Sequence, residues 1–222
     1  MLTRRQWIGR IATSGAVAMA ALATRIGVAR AATAPETPDE AVAGKVVKMK
    51  GSALAIQDAV PRVLALGSEI FTGDVISTGK GARLEMHMVD GTEMTLGERT
   101  QFVVVDFVFR DKDSNAVLRI LEGAFKATSG KIMQTADASM VVETPTATIG
   151  IRGTTFWGGV LDEDFEVALL AGKGVYVETK AGRVELDTVG DGTKVLGGDK
   201  APTKPKSWAA AKIARAVATV DF

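Results

Sequence analysis

Arg83-Leu84-Glu85-Met86-His87-Met88, then Val89-Asp90-Gly91-Thr92, then Glu93-Met94-Thr95-Leu96 is the stretch that decides the fold. Leu84, Met86 and Met88 alternate with Arg83, Glu85 and His87, so one side of an extended chain packs while the other meets water. Met94 and Leu96 repeat the alternation on the return. Asp90-Gly91 between them suits the two central positions of a type I′ turn, where positive φ is required. The reading is a β-hairpin with one buried face.

Working outward, the same grammar continues. Phe102-Val103-Val104-Val105-Asp106-Phe107-Val108-Phe109 is apolar on both faces apart from Asp106, which predicts a central strand or one between two layers. Asp111-Lys112-Asp113-Ser114-Asn115 then reads as a polar turn. Gly51, Gly123 and Gly172 each stand between two short apolar runs, a weak repeat at unequal intervals, which predicts recurrent bends where glycine relieves crowding at a corner. No window from 43 to 200 sustains helical periodicity. This predicts one all-β domain over residues 43–200, a Gly-rich β-sandwich or β-solenoid-like fold.

The two ends differ from this body. Residues 201–207, with Pro202 and Pro205, read as an extended linker, and Ser207 as the cap of a short C-terminal α-helix within residues 208–222. Trp208, Ile213, Val217 and Val220 share one side of it. Such a short helix is marginal alone, so it either docks on the β domain or binds a partner, and Trp208, Ile213 and Val217 are the candidate contacts. At the other end, Arg4 and Arg5 in Thr3-Arg4-Arg5-Gln6-Trp7-Ile8 precede a thirteen-residue apolar run, Ile11 to Ala23, and Ala29-Arg30-Ala31. Residues 1–31 therefore read as a twin-arginine export signal cleaved after Ala31, too short for a spanning segment, and residues 32–42 as a flexible leader. The expected product is a soluble protein of the periplasm or another exported compartment.

Composition narrows the chemistry. The 222 residues contain no Cys and one His, His87, so haem, iron–sulfur, copper and zinc sites built from His and Cys lack ligands. Neither a cofactor nor a metal is expected, and no disulfide can brace the fold. The whole chain has net charge +1, but residues 1–31 hold five Arg and no acid, which leaves −4 on the remainder. A mildly acidic protein is a poor ligand for nucleic acid or anionic lipid.

Several segments together resemble one family. Leu66-Gly67-Ser68-Glu69-Ile70-Phe71-Thr72-Gly73-Asp74-Val75-Ile76-Ser77-Thr78, Ala82-Arg83-Leu84-Glu85-Met86, Asp90-Gly91-Thr92-Glu93-Met94-Thr95-Leu96 and Thr144-Pro145-Thr146-Ala147-Thr148-Ile149-Gly150-Ile151-Arg152-Gly153-Thr154-Thr155-Phe156 look like the periplasmic FecR domain. The resemblance runs from about Gly44 to Leu196. It implies an all-β, non-catalytic module similar to the part of FecR regulators that receives a signal from an outer-membrane transporter. Gly73, Asp74, Asp90, Gly91, Pro145, Arg152, Gly153 and Thr154 carry its motifs. FecR regulators have a cytoplasmic region and a membrane helix where this chain has its expected export signal, which argues against direct control of a sigma factor.

Each candidate site has a structural reading beside it. Arg152 lies among Ile149, Ile151, Phe156 and Trp157 and is expected to be buried, tying strands together through carbonyls or a carboxylate; anion binding is the alternative. Gly153 is expected to permit close backbone approach. Asp74, Asp90, Asp191 and Asp199 adjoin Gly and could ligate calcium, but no segment has EF-hand spacing and turn formation accounts for them. His87 reads as solvated, and Asp162-Glu163-Asp164 as a solvated turn. The functional expectation is a non-enzymatic binding or signalling module whose partner is another cell-envelope protein, contacted through strand edges or the helix. A carbohydrate- or cell-wall-binding domain is the alternative, and it would need Trp157, Trp208 or Tyr176 as an open platform.

Overall fold

The computed structural model describes residues 41–110, 114–135 and 137–222. The expected export signal, all but the last two residues of the expected leader, and residues 111–113 of the polar turn lie outside these.

Among the described residues eighteen strands form two nine-stranded sheets, and the path between them is regular. The chain runs through sheet A as β1 (Val42–Lys50), makes the hairpin β2 (Ala53–Gln57) and β3 (Val60–Val63) in sheet B, and returns for β4 (Glu69–Phe71). After β5 (Val75–Thr78) in sheet B come β6 (Arg83–Met88) and β7 (Glu93–Leu96) in A, then β8 (Gln101–Val108) and β9 (Asn115–Glu122) in B. Then β10 (Phe125–Thr128) in A, a 3₁₀ turn (Lys131–Gln134), and β11 (Ser139–Glu143) with β12 (Thr148–Ile151) in B follow. The last pairs are β13 (Thr154–Val160) and β14 (Phe165–Gly172) in A, β15 (Val175–Thr179) and β16 (Gly182–Leu186) in B, and β17 (Asp191–Val195) and β18 (Lys206–Ser207) in A. The one α-helix among the described residues, α1 (Ala210–Ala218), follows β18.

Sheet A is ordered β18-β17-β14-β13-β10-β7-β6-β1-β4 and sheet B β16-β15-β12-β11-β9-β8-β5-β2-β3. All pairings are antiparallel except β9 with β11. The all-β expectation is met by a two-sheet sandwich, wound so that successive hairpins stack on their predecessors. Alternation drives it: along β6 Leu84, Met86 and Met88 are buried while Arg83, Glu85 and His87 are half-exposed. The inward residues of both sheets merge into one apolar core from Ala43 to Val195, in which Phe125 meets Phe156 edge-on at 5.5 Å.

The three repeated glycines mark places where the chain changes sheet. Gly51 lies between β1 and β2, Gly123 between β9 and β10, and Gly172 ends β14 before the step to β15, all with positive φ. Each corner presses on another corner. A Cβ on Gly51 would stand 2.9 Å from Ala82 Cα, one on Gly123 2.5 Å from Thr100 Cα, and one on Gly172 2.6 Å from Thr154 Cα. Glycine is required there by crowding and by conformation together.

Three local expectations need correction. Of Asp90 and Gly91 only Gly91 has positive φ, so the turn is not type I′. Gly91 N donates to Met88 O at 2.9 Å and Met88 N to Thr92 O at 2.8 Å, the pattern of a three-residue loop whose last residue is left-handed. The strand β8 is interior to sheet B but one-sided: Phe102, Val104 and Phe107 are buried whereas Val105 and Phe109 are exposed, with a bulge between Val104 and Asp106. The expected linker also contains a strand. Ser207 belongs to β18 and pairs with Asp191, so it cannot cap the helix, which starts at Ala210 behind an uncapped Ala209.

Candidate functional site

The outer faces of the two sheets are treated differently, and this defines the site. On sheet A, Trp157 of β13 and Glu166, Ala168 and Leu170 of β14 point outward, away from the main core. The C-terminal segment lies over them. Trp157, Ala168, Ala124, Ala216 and Val220 form a second buried apolar cluster, joined by Trp208, Ile213, Leu161 and Leu170.

Polar contacts fix the segment along its length. Trp157 Nε1 donates to Thr219 Oγ1 at 2.9 Å, and the Trp208 ring meets Trp157 at 6.1 Å between centroids. Gly192 of β17 makes room for the Trp208 indole, which a Cβ would overlap. Glu166 is fully buried, with Lys212 Nζ 2.6 Å from Oε2 and Lys194 Nζ 3.0 Å from Oε1. The carboxylate in turn raises the Lys194 ammonium above its ordinary pKa. Arg215 donates to Asp162 at 2.6 Å and, as donor and cation, holds that carboxyl below its usual value. At the far end Arg83 donates to the carbonyls of Asp221 and Ala218 at 3.0 and 3.3 Å, and Lys48 stands 4.0 Å over the Phe222 ring. Of the two roles weighed for the helix, the geometry is that of a docked cap: Trp208 and Ile213 pack on the domain and Val217 is half-buried.

The FecR-motif residues sit at turns and corners. Asp74 is fully buried; its Oδ2 accepts from Phe71 N at 2.8 Å and pairs with Arg62, while Gly73 N donates to Val104 O at 2.7 Å. Asp90, 1% exposed, accepts from Thr92 N and Oγ1, both at 2.8 Å, and from Ile132 N at 3.1 Å. It thereby staples the β6–β7 loop to the 3₁₀ turn. Pro145 is exposed in the turn closed by Thr144, whose hydroxyl oxygen accepts from Ala147 N at 2.9 Å. Thr154 is buried, its hydroxyl bonded to Ala171 O and its N to Ser129 Oγ at 2.9 Å.

Arg152 departs from expectation. Its side chain is exposed, bonded to Glu185 at 2.6 Å and Asp187 at 2.8 Å, because it sits outside the turn while Ile149, Ile151 and Phe156 face the core. A carboxylate partner is present but burial is not. Gly153 has φ +69, and a Cβ there would meet only the Lys173 Cδ at an ordinary 3.9 Å, so conformation and not close approach requires glycine there. His87 lies on the half-exposed face with Glu85 Oε1 at 3.4 Å and Glu93 Oε1 at 3.9 Å. Asp162, in the acidic turn, anchors the helix instead of lining a cleft. Among the described residues no group of three His, Cys, Asp or Glu is arranged to hold a metal.

The outer face of sheet B carries no helix among the described elements. Pro61, Ile56, Val75 and Val103 are in register across β3, β2, β5 and β8, with Val63 opposite Leu54 beside them. Val63 is 83% exposed and Leu54 and Ile56 more than a third exposed, so this apolar row is open. Beyond it the face turns charged, starting with Arg119 and Glu143 at 2.7 Å. Tyr176 lies over Gly150, where a Cβ would overlap its ring, and the Arg183 guanidinium covers it at 3.6 Å. Trp157, Trp208 and Tyr176 are thus all engaged within the chain.

The match to known proteins agrees with this architecture. The family described as FecR protein matches residues 74–185, half of the sequence, and the chain belongs to that family. Asp74, Asp90, Gly91, Pro145, Arg152, Gly153 and Thr154 all fall inside the match. Two crystal structures of a candidate anti-sigma factor from Parabacteroides distasonis are similar in fold, each with TM-score 0.51 and 20% identity. The similarity covers 63% of this chain and 62% of that one, so the two share less than two thirds of their length. No curated protein matches. Among the described residues no helix is long and apolar enough to cross a membrane.

Proposed function

We propose that this FecR-family chain is an exported, non-catalytic module that binds another protein of the cell envelope and relays its state, as the anti-sigma factor designation of its structural relative suggests. One observation carries the reading: sheet A is roofed by the chain's own C-terminal segment, whereas no described element covers the row Val63, Leu54, Ile56, Val75 and Val103 on sheet B. An apolar row next to a charged half is the composition of a protein-contact face. The buried carboxylates Asp74, Asp90 and Glu166 are each committed to turns or to the helix, and none faces a cleft with a second titratable group poised for proton transfer.

The test is capture of envelope proteins by the wild-type chain and by Ile56→Lys with Val75→Lys, two changes on the exposed side of sheet B. Loss of the captured protein at unchanged melting temperature supports the proposal. Capture unaffected by the charges overturns the assignment of this face, and retention on purified cell-wall glycan without any protein partner favours the carbohydrate alternative. Export is tested separately, by following localisation after Arg4→Lys with Arg5→Lys; accumulation outside the cytoplasm without the twin-arginine translocase would exclude that route.

A further inference from the structure

A stack of this kind has free edges, and they are not equally protected. In sheet A the terminal strands are short, β18 with two residues and β4 with three. In sheet B, β3 carries Pro61, which cannot donate to a further strand. The remaining edge is β16, five residues of regular strand, Gly182-Arg183-Val184-Glu185-Leu186, paired on one side with β15 and on the other with no strand among the described residues. Residues near Lys200 and Ala201 cover its Gly182 end, where Lys200 O accepts from Thr179 Oγ1 at 2.9 Å. Arg183 and Glu185 are exposed, and Val184, packed against the core, is itself only partly buried.

The strand's sequence reads as its own complement. Antiparallel pairing of two β16 strands centred on Val184 sets Arg183 opposite Glu185 of the second copy and Glu185 opposite its Arg183. Opposite charges directly across an antiparallel pair stabilise it, and the two contacts are related by the two-fold axis that a symmetric dimer requires. Both side chains lie on the outer face of sheet B, where Arg152, 2.6 Å from Glu185, adds positive charge to the same cluster.

We propose that β16 is a self-association edge, through which two copies join their B sheets into one continuous sheet with crossed Arg183 and Glu185 pairs. A five-residue edge buries less than a standard interface, so the dimer is weak and concentration-dependent. The edge lies at the opposite end of sheet B from the apolar row on β3, β2, β5 and β8, so the dimer would present two such rows, one on each distal end. Self-association through β16 does not require that row to bind a partner.

The experiment is sedimentation velocity of the full chain over a concentration series. Wild type is expected to shift from monomer to dimer. Arg183→Glu alone and Glu185→Arg alone each place like charges opposite one another, and each should weaken self-association roughly tenfold or more. Two further samples separate edge chemistry from misfolding. An equimolar mixture of the two single variants restores opposite charges across the pair and should dimerise, as should the doubly exchanged Arg183→Glu, Glu185→Arg chain. A wild type that stays monomeric at millimolar concentration overturns the proposal. So does a dimer that neither single substitution weakens, or a mixture that fails to associate while both variants melt like wild type. Dimerisation that persists in both singles assigns self-association to another surface.

Discussion

Lys212 of the C-terminal helix places its ammonium 2.6 Å from Glu166, a carboxylate that the fold has removed from water. Neither residue is informative alone. Together they show that the last fifteen residues belong to the domain, because β14 buries a charge that only residues far along the chain can neutralise.

Removing one partner from such a pair leaves a buried charge short of its counterion. Lys212→Met should therefore destabilise the protein by about 2 kcal/mol, the loss being limited because Lys194 remains. Adding Glu166→Leu should return much of that loss, by replacing an unmatched charge with apolar volume. Chemical denaturation of the two single variants and the double variant measures the coupling.

Ending the chain after Ser207 removes the cover from Trp157 and the acceptor from its indole N–H. The expected result is a loss of several kcal/mol, together with a red shift of the emission from Trp157, which becomes wet. Stability that is unchanged by the truncation would mean that the segment contributes nothing as a cap, whatever its contacts.

The corner glycines should separate into two groups. Gly123→Ala meets both positive φ and the Thr100 backbone, and should cost more than about 2 kcal/mol; Gly153→Ala meets positive φ alone, and should cost about 1 kcal/mol. Thermal melts of the two variants side by side give the comparison. Arg152→Ala removes only exposed ion pairs, so its effect should stay within about 1 kcal/mol.

The shifted ion pairs predict a broad stability plateau. Asp162 titrates below its ordinary value of 3.8 because Arg215 donates to it and attracts it, and Glu185 is lowered from 4.5 by Arg152 and Arg183. Their stabilisation is complete above those unfolded values and is lost as pH falls through the lower folded ones. Lys194 is raised above 10.5 by Glu166, so its contribution is complete below that value and is lost as pH rises through the folded one. Melting temperature should thus be flat between about pH 5 and about pH 9, with salt weakening the exposed Asp162–Arg215 pair. A maximum inside that window would implicate groups other than these.

Much of the β domain could be read from local periodicity, since Leu84, Met86 and Met88 report their own burial by alternation. The corners were legible through Gly51, Gly123 and Gly172, because glycine between apolar runs marks a bend wherever it falls. What escaped was set by residues distant in the chain. Glu166 sits in Phe165-Glu166-Val167, a pattern that reads as one solvent-facing position, and only Lys194 and Lys212 reveal otherwise. Arg152 misled in the opposite direction: apolar neighbours in sequence face the core, while the arginine occupies the outside of the same turn. At Asp90-Gly91 the turn's position was plain but its type was not, because the Asp90 carboxylate is engaged by Thr92 and by Ile132, 42 residues on.

The route of the C-terminal segment has a consequence for how the protein comes apart. In a stack of hairpins each rung touches mainly its neighbours, and such assemblies can fray from an end one unit at a time. Here a single span begins beside Gly192 in β17, passes Trp157 in β13, and finishes on Arg83 in β6 and Lys48 in β1, crossing most of sheet A. Rungs that never meet are bound to a common brace, so the late hairpins cannot peel away without loosening the early ones. The segment turns a zipper into a latch, and unfolding into one concerted event.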